Sequence, residues 1–220
     1  MSKTILQAAS STNLTTKEIV QTQLNFAVGV DDEIFDQLID AASSFITSYT
    51  DRQFAREQWS ELVPGYNGNW LQLTLTPIDS VDSVALNGTV FTDFIIEDEE
   101  SGLLFREKGW ESSLSFGRGI EVHPLARSSL PRFKVDYFGG YVLPSFVSGV
   151  VNLPGVIQQA CVDLVRIWYA QLKDNLPANT KQIKIGDYTI SFGDEIPSNG
   201  SLLGVPASIL AKLRPWRRMI

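Results

Sequence analysis

The side chains able to do covalent or metal chemistry here are few: one histidine, one cysteine and a surplus of carboxylates. Any Ser-His-Asp or Cys-His site has to use His123, which stands directly before Pro124 in a Gly- and Ser-rich stretch, the setting of an extended loop. Cys161 sits among apolar neighbours at helical spacing, where a thiol is ordinarily buried and inert. One His and one Cys fall short of a zinc ligand set. Two acidic runs, Asp31 to Asp36 and Glu97 to Glu100, offer oxygen donors to a hard cation. The second lacks the alternation of an EF-hand loop and reads as a solvated turn. The first fits a helix start, where free amide donors and the macrodipole favour negative charge. Gly117-Arg118-Gly119 is too short for a phosphate loop. No catalytic residue, metal site or cofactor is expected, and so no enzyme.

The C-terminal cluster is of another kind. Lys212, Arg214, Arg217 and Arg218 surround Trp216 on a chain whose formal net charge is -7. Cations there complement a helix C-terminus, and Trp with Arg also makes a docking tail, since those types concentrate interface energy. The negative chain argues against a broad non-specific grip on nucleic acid, which needs Lys and Arg against phosphates.

Composition sets the frame for these residues. At 220 residues, 44% hydrophobic and 20% charged, the chain has the make-up of a folded protein with a sizeable core. A lone cysteine allows no internal disulfide. Met1 to Asn13 lacks the apolar core of a signal peptide, and no run reaches the length of a membrane span, so a soluble chain folded in a reducing cytoplasm is expected.

The first dozen residues read as a mobile or partner-dependent arm. Thr15 or Thr16 then caps a helix over 15–28, with Glu18 placed as in a capping box, Ile19, Val20, Leu24 and Ala27 inward, and Gly29 as its stop. A second helix over 31–50 places Ile34, Phe35, Leu38, Ile39, Ala42, Phe45, Ile46 and Tyr49 within one arc of about 140°. From 58 to 141 the period changes to that of strands. Leu71, Leu73 and Leu75 alternate with polar residues, Asn87-Gly88 is a hairpin turn, Phe91, Phe94, Ile95 and Ile96 return from it, and Glu100-Ser101-Gly102 makes another turn. Pro154 opens a third helix over 154–173, whose wide apolar side implies more than one neighbour, such as a sheet and a helix or a second subunit. Ile183, Ile185, Tyr188, Ile190 and Phe192 flank Gly186-Asp187 as a hairpin, and a short helix spans Pro206 to Leu213.

The order of these elements resembles the head-tail connector, or head-completion adaptor, family of tailed bacteriophages. The likeness runs from Leu14 to Arg218. It lies in the Leu-Thr-Thr-Lys-Glu helix start, the turn Val30-Asp31-Asp32-Glu33, and the helix through Leu38-Ile39-Asp40-Ala41-Ala42 to Tyr49-Thr50-Asp51-Arg52. It continues in the Trp59 strand, Leu75 to Val81, Val135-Asp136-Tyr137-Phe138-Gly139-Gly140-Tyr141, and the helix ending Trp168-Tyr169. Ile185-Gly186-Asp187-Tyr188 and the tail Leu213-Arg214-Pro215-Trp216-Arg217-Arg218 complete it. A longer insertion between Trp110 and Pro131 and a longer stretch before the C-terminal helix depart from the pattern.

The resemblance implies an α+β chain: a helical bundle of about three to four helices with an antiparallel β-rich insertion and a C-terminal hairpin and helix arm. It implies a connector core over 1–176 and a docking arm over 177–220. Its implied function is a structural adaptor in the virion neck, assembled in the host cytoplasm as a ring of about twelve copies. That ring sits under the portal, meets a stopper or tail-completion protein, and passes DNA without reading it. Portal docking is expected of Leu210, Leu213, Arg214, Trp216, Arg217 and Arg218, and contact between subunits of Val162, Tyr169, Ile185, Tyr188 and Ile190. Asp31, Asp32 and Glu33 are expected to line the channel, since an acidic wall repels phosphate. The competing reading is a monomeric β-rich module binding carbohydrate or peptide, drawn from the aromatic loop Tyr66 to Trp70.

Overall fold

The computed structural model describes residues 2–26, 29, 31–65, 68–110, 132–145, 150–174, 182–185, 188–191 and 205–218. They fall into two compact units, a β unit (Met1–Ala9 with Ala55–Tyr141) and a helical unit (Ser10–Phe54 with Val142–Ile220).

The β unit holds two antiparallel sheets. Strands β1 (Ser2–Gln7), β2 (Glu57–Pro64), β4 (Ile78–Leu86), β5 (Thr89–Phe91) and β8 (Arg132–Gly139) form the larger, in the order β1-β2-β8-β4-β5. Strands β3 (Trp70–Gln72), β6 (Ile95–Asp98) and β7 (Leu103–Phe105) form the smaller, in the order β3-β7-β6. Period-two alternation sends Trp59 and Val63 of β2 and Phe133, Val135 and Tyr137 of β8 into one core with Leu71, Leu73, Leu75, Val84, Leu104 and Trp110. Burying a side chain such as Phe133 contributes roughly 1.5–3 kcal/mol.

Three strand expectations change. The N-terminal residues are an edge strand, β1, paired to β2 from Ser2↔Leu62 to Gln7↔Gln58. Lys3 to Ala8 are exposed, so no buried face marks the strand in the sequence. The leucine run is strand only as far as Gln72, although Leu71, Leu73 and Leu75 are all buried. Beyond it the backbone is held by other groups: Leu73 N–H donates to Gly102 O at 2.8 Å and Leu75 N–H to the Tyr137 hydroxyl at 3.0 Å. Glu61, fully buried, accepts from Thr74 N–H at 3.0 Å, from the Thr74 hydroxyl, and from the Tyr137 hydroxyl at 2.8 Å. Finally, the return from Asn87-Gly88 is divided. Both turn residues have positive φ, 51° and 85°, as a two-residue hairpin requires, but β5 stops at Phe91 and Ile95-Ile96 join the other sheet.

In the helical unit α1 (Lys17–Leu24), α2 (Asp32–Thr50), α3 (Gly155–Asp174) and α4 (Ala207–Leu213) pack together. Helix α2 buries Phe35, Ile39, Ala42 and Ile46 from its apolar arc. The broad apolar side of α3 is met by α1, α2 and α4 of the same chain. Helix α1 is shorter than expected. Thr16 is its N-cap in place of Thr15, which is buried, and Asn25 ends it in the left-handed region at φ 55°, a conformation Asn tolerates, well before Gly29. Val20 and Gln21 are its buried residues, Ile19 and Leu24 are half-buried, and Ala27 lies outside the described residues. Strands β9 (Gln182–Ile185) and β10 (Tyr188–Ser191) pair as the expected hairpin.

Candidate interaction surfaces

Among the described residues no group of three or more His, Cys, Asp or Glu is placed to hold a metal ion, and no helix is long and apolar enough to cross a membrane. His123, Gly117-Arg118-Gly119, Tyr66 and Gly186-Asp187 lie outside the described residues. Cys161 is buried on α3 with its Sγ 3.7 Å from Ser43 Oγ, which also accepts from Leu14 N–H at 3.0 Å. Burial pushes the thiol up to about 12, so thiolate is scarce at neutral pH.

The C-terminal cluster is tied to its own helices. Ile209 and Leu213 of α4 are buried, and Lys212 Nζ reaches Asp163 Oδ2 at 2.9 Å. A 3-10 turn, Arg214–Trp216, carries the chain back to α2, where Arg218 N–H donates to Thr50 O at 2.9 Å. The Arg217 guanidinium lies 5.6 Å from the Tyr49 ring, within cation–π range. Tyr49 stacks on Phe45, whose ring meets Trp168 edge-on at 6.3 Å. Arg214, Arg217 and Arg218 are exposed, and Leu210 and Trp216 are half-buried. Leu213 therefore anchors the tail to the helical unit and is not itself a docking surface.

The acidic turn is also largely occupied from within. Asp31 does not cap α2 through its side chain: its Oδ2 lies 2.7 Å from both Lys173 Nζ and the Tyr169 hydroxyl. These two donors, Lys173 first, hold the Asp31 carboxyl below its ordinary range. Asp32 accepts from Gln21 Nε2 at 2.7 Å and from Gly29 N–H at 3.2 Å, and Lys17 Nζ stands 3.5 Å away. The Gln21 hydrogen bond is the main cause of its lowered carboxyl pKa. Only Glu33 of the three is exposed. The two α3 residues expected between subunits are internal too. Val162 is fully buried, and Tyr169 stacks on Phe35 at 4.7 Å and meets Phe26 edge-on at 5.0 Å.

One surface is only partly legible in the sequence, which offers Trp70 as the end of an aromatic loop but does not join it to Phe105 and Ile95. The smaller sheet aligns Trp70↔Phe105↔Ile95 in one row across β3, β7 and β6. The neighbouring row, Leu71, Leu104 and Ile96, faces the core, so the first row faces outward. Trp70 is 49% and Ile95 56% exposed, and the Trp70 and Phe105 rings lie 4.8 Å apart. Register was the missing signal, because the residues come from three segments.

No family model and no curated protein matches the sequence. Solved structures do. A chain of the neck of an empty gene transfer agent particle, computed with C6 symmetry, is similar at 14% identity and TM-score 0.53. A chain of the native particle's virion is similar at 16% and 0.54, and one of the native neck, computed with C12 symmetry, at 16% and 0.53. Each likeness covers 100% of this chain and 97% of the other. The chain shares the fold of these chains. The α+β architecture expected from the sequence is present, with four α-helices and antiparallel sheets of five and three strands among the described residues. Because the likeness is full-length, the shared fold takes in both units.

Proposed function

We infer that this chain is a structural head-tail adaptor of a phage-like particle, one subunit of an oligomeric ring that joins head to tail and continues the DNA channel. The observation that carries this reading is the end-to-end likeness to chains of particle necks, one of them computed with twelve-fold symmetry. It is a structural protein of the virion neck, not an enzyme, and Cys161, the thiol among its described residues, is buried and protonated. The number of copies, about twelve, is taken from that twelve-fold neck, and head-to-tail contacts would close such a ring. A carbohydrate- or peptide-binding module is not favoured, since it would account for the β unit and leave the helical unit without a role.

Portal docking falls to Arg214, Trp216, Arg217 and Arg218, with Leu210 beside them, because these stay exposed or half-buried while Ile209 and Leu213 hold the tail in place. A stopper or tail-completion protein meets the other end of the ring, and DNA passes without sequence-specific contact. The test is to mix the purified chain with its particle's portal ring and follow mass by light scattering and shape by negative-stain microscopy. Adaptor rings on the portal are expected. Their loss in an Arg214→Glu/Arg217→Glu/Arg218→Glu variant that remains folded supports the tail assignment. Undiminished binding by that variant moves docking elsewhere, and no binding by the native chain sinks the adaptor reading. Removing residues 203–220 is the poorer test, because it strips buried Val205, Ile209 and Leu213 from the helical unit.

A further inference from the structure

We propose that copies of this chain meet edge to edge: the open edge of β1 in one copy adds as a strand beside β5 of the next, so that the five-stranded sheet runs on from copy to copy. This inference rests on the ring reading and goes beyond it by naming both sides of the subunit contact, each within the β unit.

Strand β1 has the make-up of an edge that accepts a partner strand. It pairs with β2 on one side, and the backbone groups along its other side have no ladder partner among the described strands. Edge strands are ordinarily blunted by shortness, charge, proline or a cover. β1 has six residues, one charge (Lys3) and no proline, and every side chain from Lys3 to Gln7 is exposed. Its register shift falls at Ile5/Gln7, which leaves Ser2 to Ile5 as an unbroken ladder. Ile5 stands opposite Trp59, on the core side of the sheet, yet is 51% exposed, and Leu6 is 50% exposed. An added strand with apolar side chains supplies what this edge lacks, hydrogen bonds for the backbone and cover for Ile5 and Leu6.

Symmetry and charge select β5 of a second copy as that strand. β1 against β1 is an isologous contact that stops at two copies. β1 against the far edge of the same sheet is heterologous and propagates until it closes. The order β1-β2-β8-β4-β5, antiparallel at every step, leaves the two edge strands running in the same direction. A rotation that carries one copy onto the next therefore sets β1 beside β5 as a parallel pair. β5 carries no charge, and Val90 at its centre is 61% exposed. The β6 edge of the smaller sheet, by contrast, holds Glu97 and Asp98, which repel a chain of net charge -7.

The test crosslinks cysteines on the side of the sheet away from the core, where Thr4 (opposite Ser60) and Val90 (opposite Ala85) both point. Both positions are exposed, so the substitutions leave the core untouched, and Cys161 is buried and does not compete. Chains carrying Thr4→Cys and chains carrying Val90→Cys are mixed in equal amounts, assembled at high concentration or on the particle's portal ring, and treated with a flexible bismaleimide. Linked dimers are expected at up to about a quarter of the contacts, the share random mixing allows in a ring. The double variant Thr4→Cys/Val90→Cys is expected to give a ladder of multimers. Links among Thr4→Cys chains alone, in place of mixed pairs, overturn the contact in favour of β1 pairing with itself. Rings seen by negative-stain microscopy without the 4–90 link overturn the contact and leave the adaptor reading standing. Linked multimers that stay open support the contact and count against the ring. A chain that associates neither alone nor on its portal overturns both.

Discussion

Arg106 shows how a single residue is held in this fold. Only slightly exposed, its guanidinium donates from Nε and Nη2 to the two oxygens of Asp93, at 2.8 and 3.1 Å, and from Nη1 to Gly109 O at 2.8 Å. It lies 4.5 Å from the Phe91 ring. The Arg106 hydrogen bonds hold the Asp93 carboxyl down at about 2, below its ordinary 3.8. A carboxyl depressed in the folded state contributes stability that is present above about pH 4 and lost as pH falls through about 2. Asp93→Asn should therefore lower the urea midpoint at pH 7, and its difference from the native chain should shrink across that acid window. A constant difference from pH 7 to pH 2 would remove the pair from the acid response. Cys161 is a second case at this scale. A thiol reagent should leave the native chain unlabelled for hours and modify one site per chain once denaturant is added. Rapid native labelling would contradict its burial.

At the scale of elements, the end of β8 explains why two glycines stand together in the Val135 to Tyr141 segment. A Cβ on Gly139 would come 2.8 Å from Leu75 O. Gly140 has φ +96°, and a Cβ there would run into Ala55 O, where the backbone closes the Ala55↔Tyr141 bridge. Gly140→Ala should destabilise the chain by more than about 2 kcal/mol, read from chemical denaturation. A change within experimental error would show that the bridge gives way cheaply. The edge strand β1 makes the opposite case: it pairs on one side and buries nothing from Lys3 to Ala8, whereas β8 pairs on both sides. Amide exchange should be orders of magnitude faster in β1 than in β8. Equal protection would mean that β1 is clamped by something other than its ladder.

At the scale of the whole molecule, the proposed channel raises the question of which acidic residues DNA would meet in it. Asp31 and Asp32 are committed to Lys173, Tyr169, Gln21 and Lys17, so replacing them would disturb the joints of α1, α2 and α3. Glu33 is the exposed one and the cleaner probe. If the α1–α2 turn borders the lumen, particles built with Glu33→Lys should release DNA measurably more slowly, as seen by single-particle ejection. Unchanged release in such particles would take this turn off the channel wall.

What the sequence by itself determined was local and periodic. The 3.6-residue stripe of α2, the Pro before α3, the Asn87-Gly88 hairpin and the pairing of Ile185 with Tyr188 follow from steric preference and from the need to hide one face of each element. The order of those elements also carried the resemblance to neck adaptors. Tertiary structure decided what an apolar or charged side chain is facing. It turned Val162, Tyr169 and Leu213 inward, gave Asp31 to Lys173, made β1 a strand through its distant partner β2, and assembled Trp70, Phe105 and Ile95 into one outward row. Periodicity says that a face must be covered. Only the three-dimensional pairing of distant segments says which faces the chain covers itself and which it leaves for a partner.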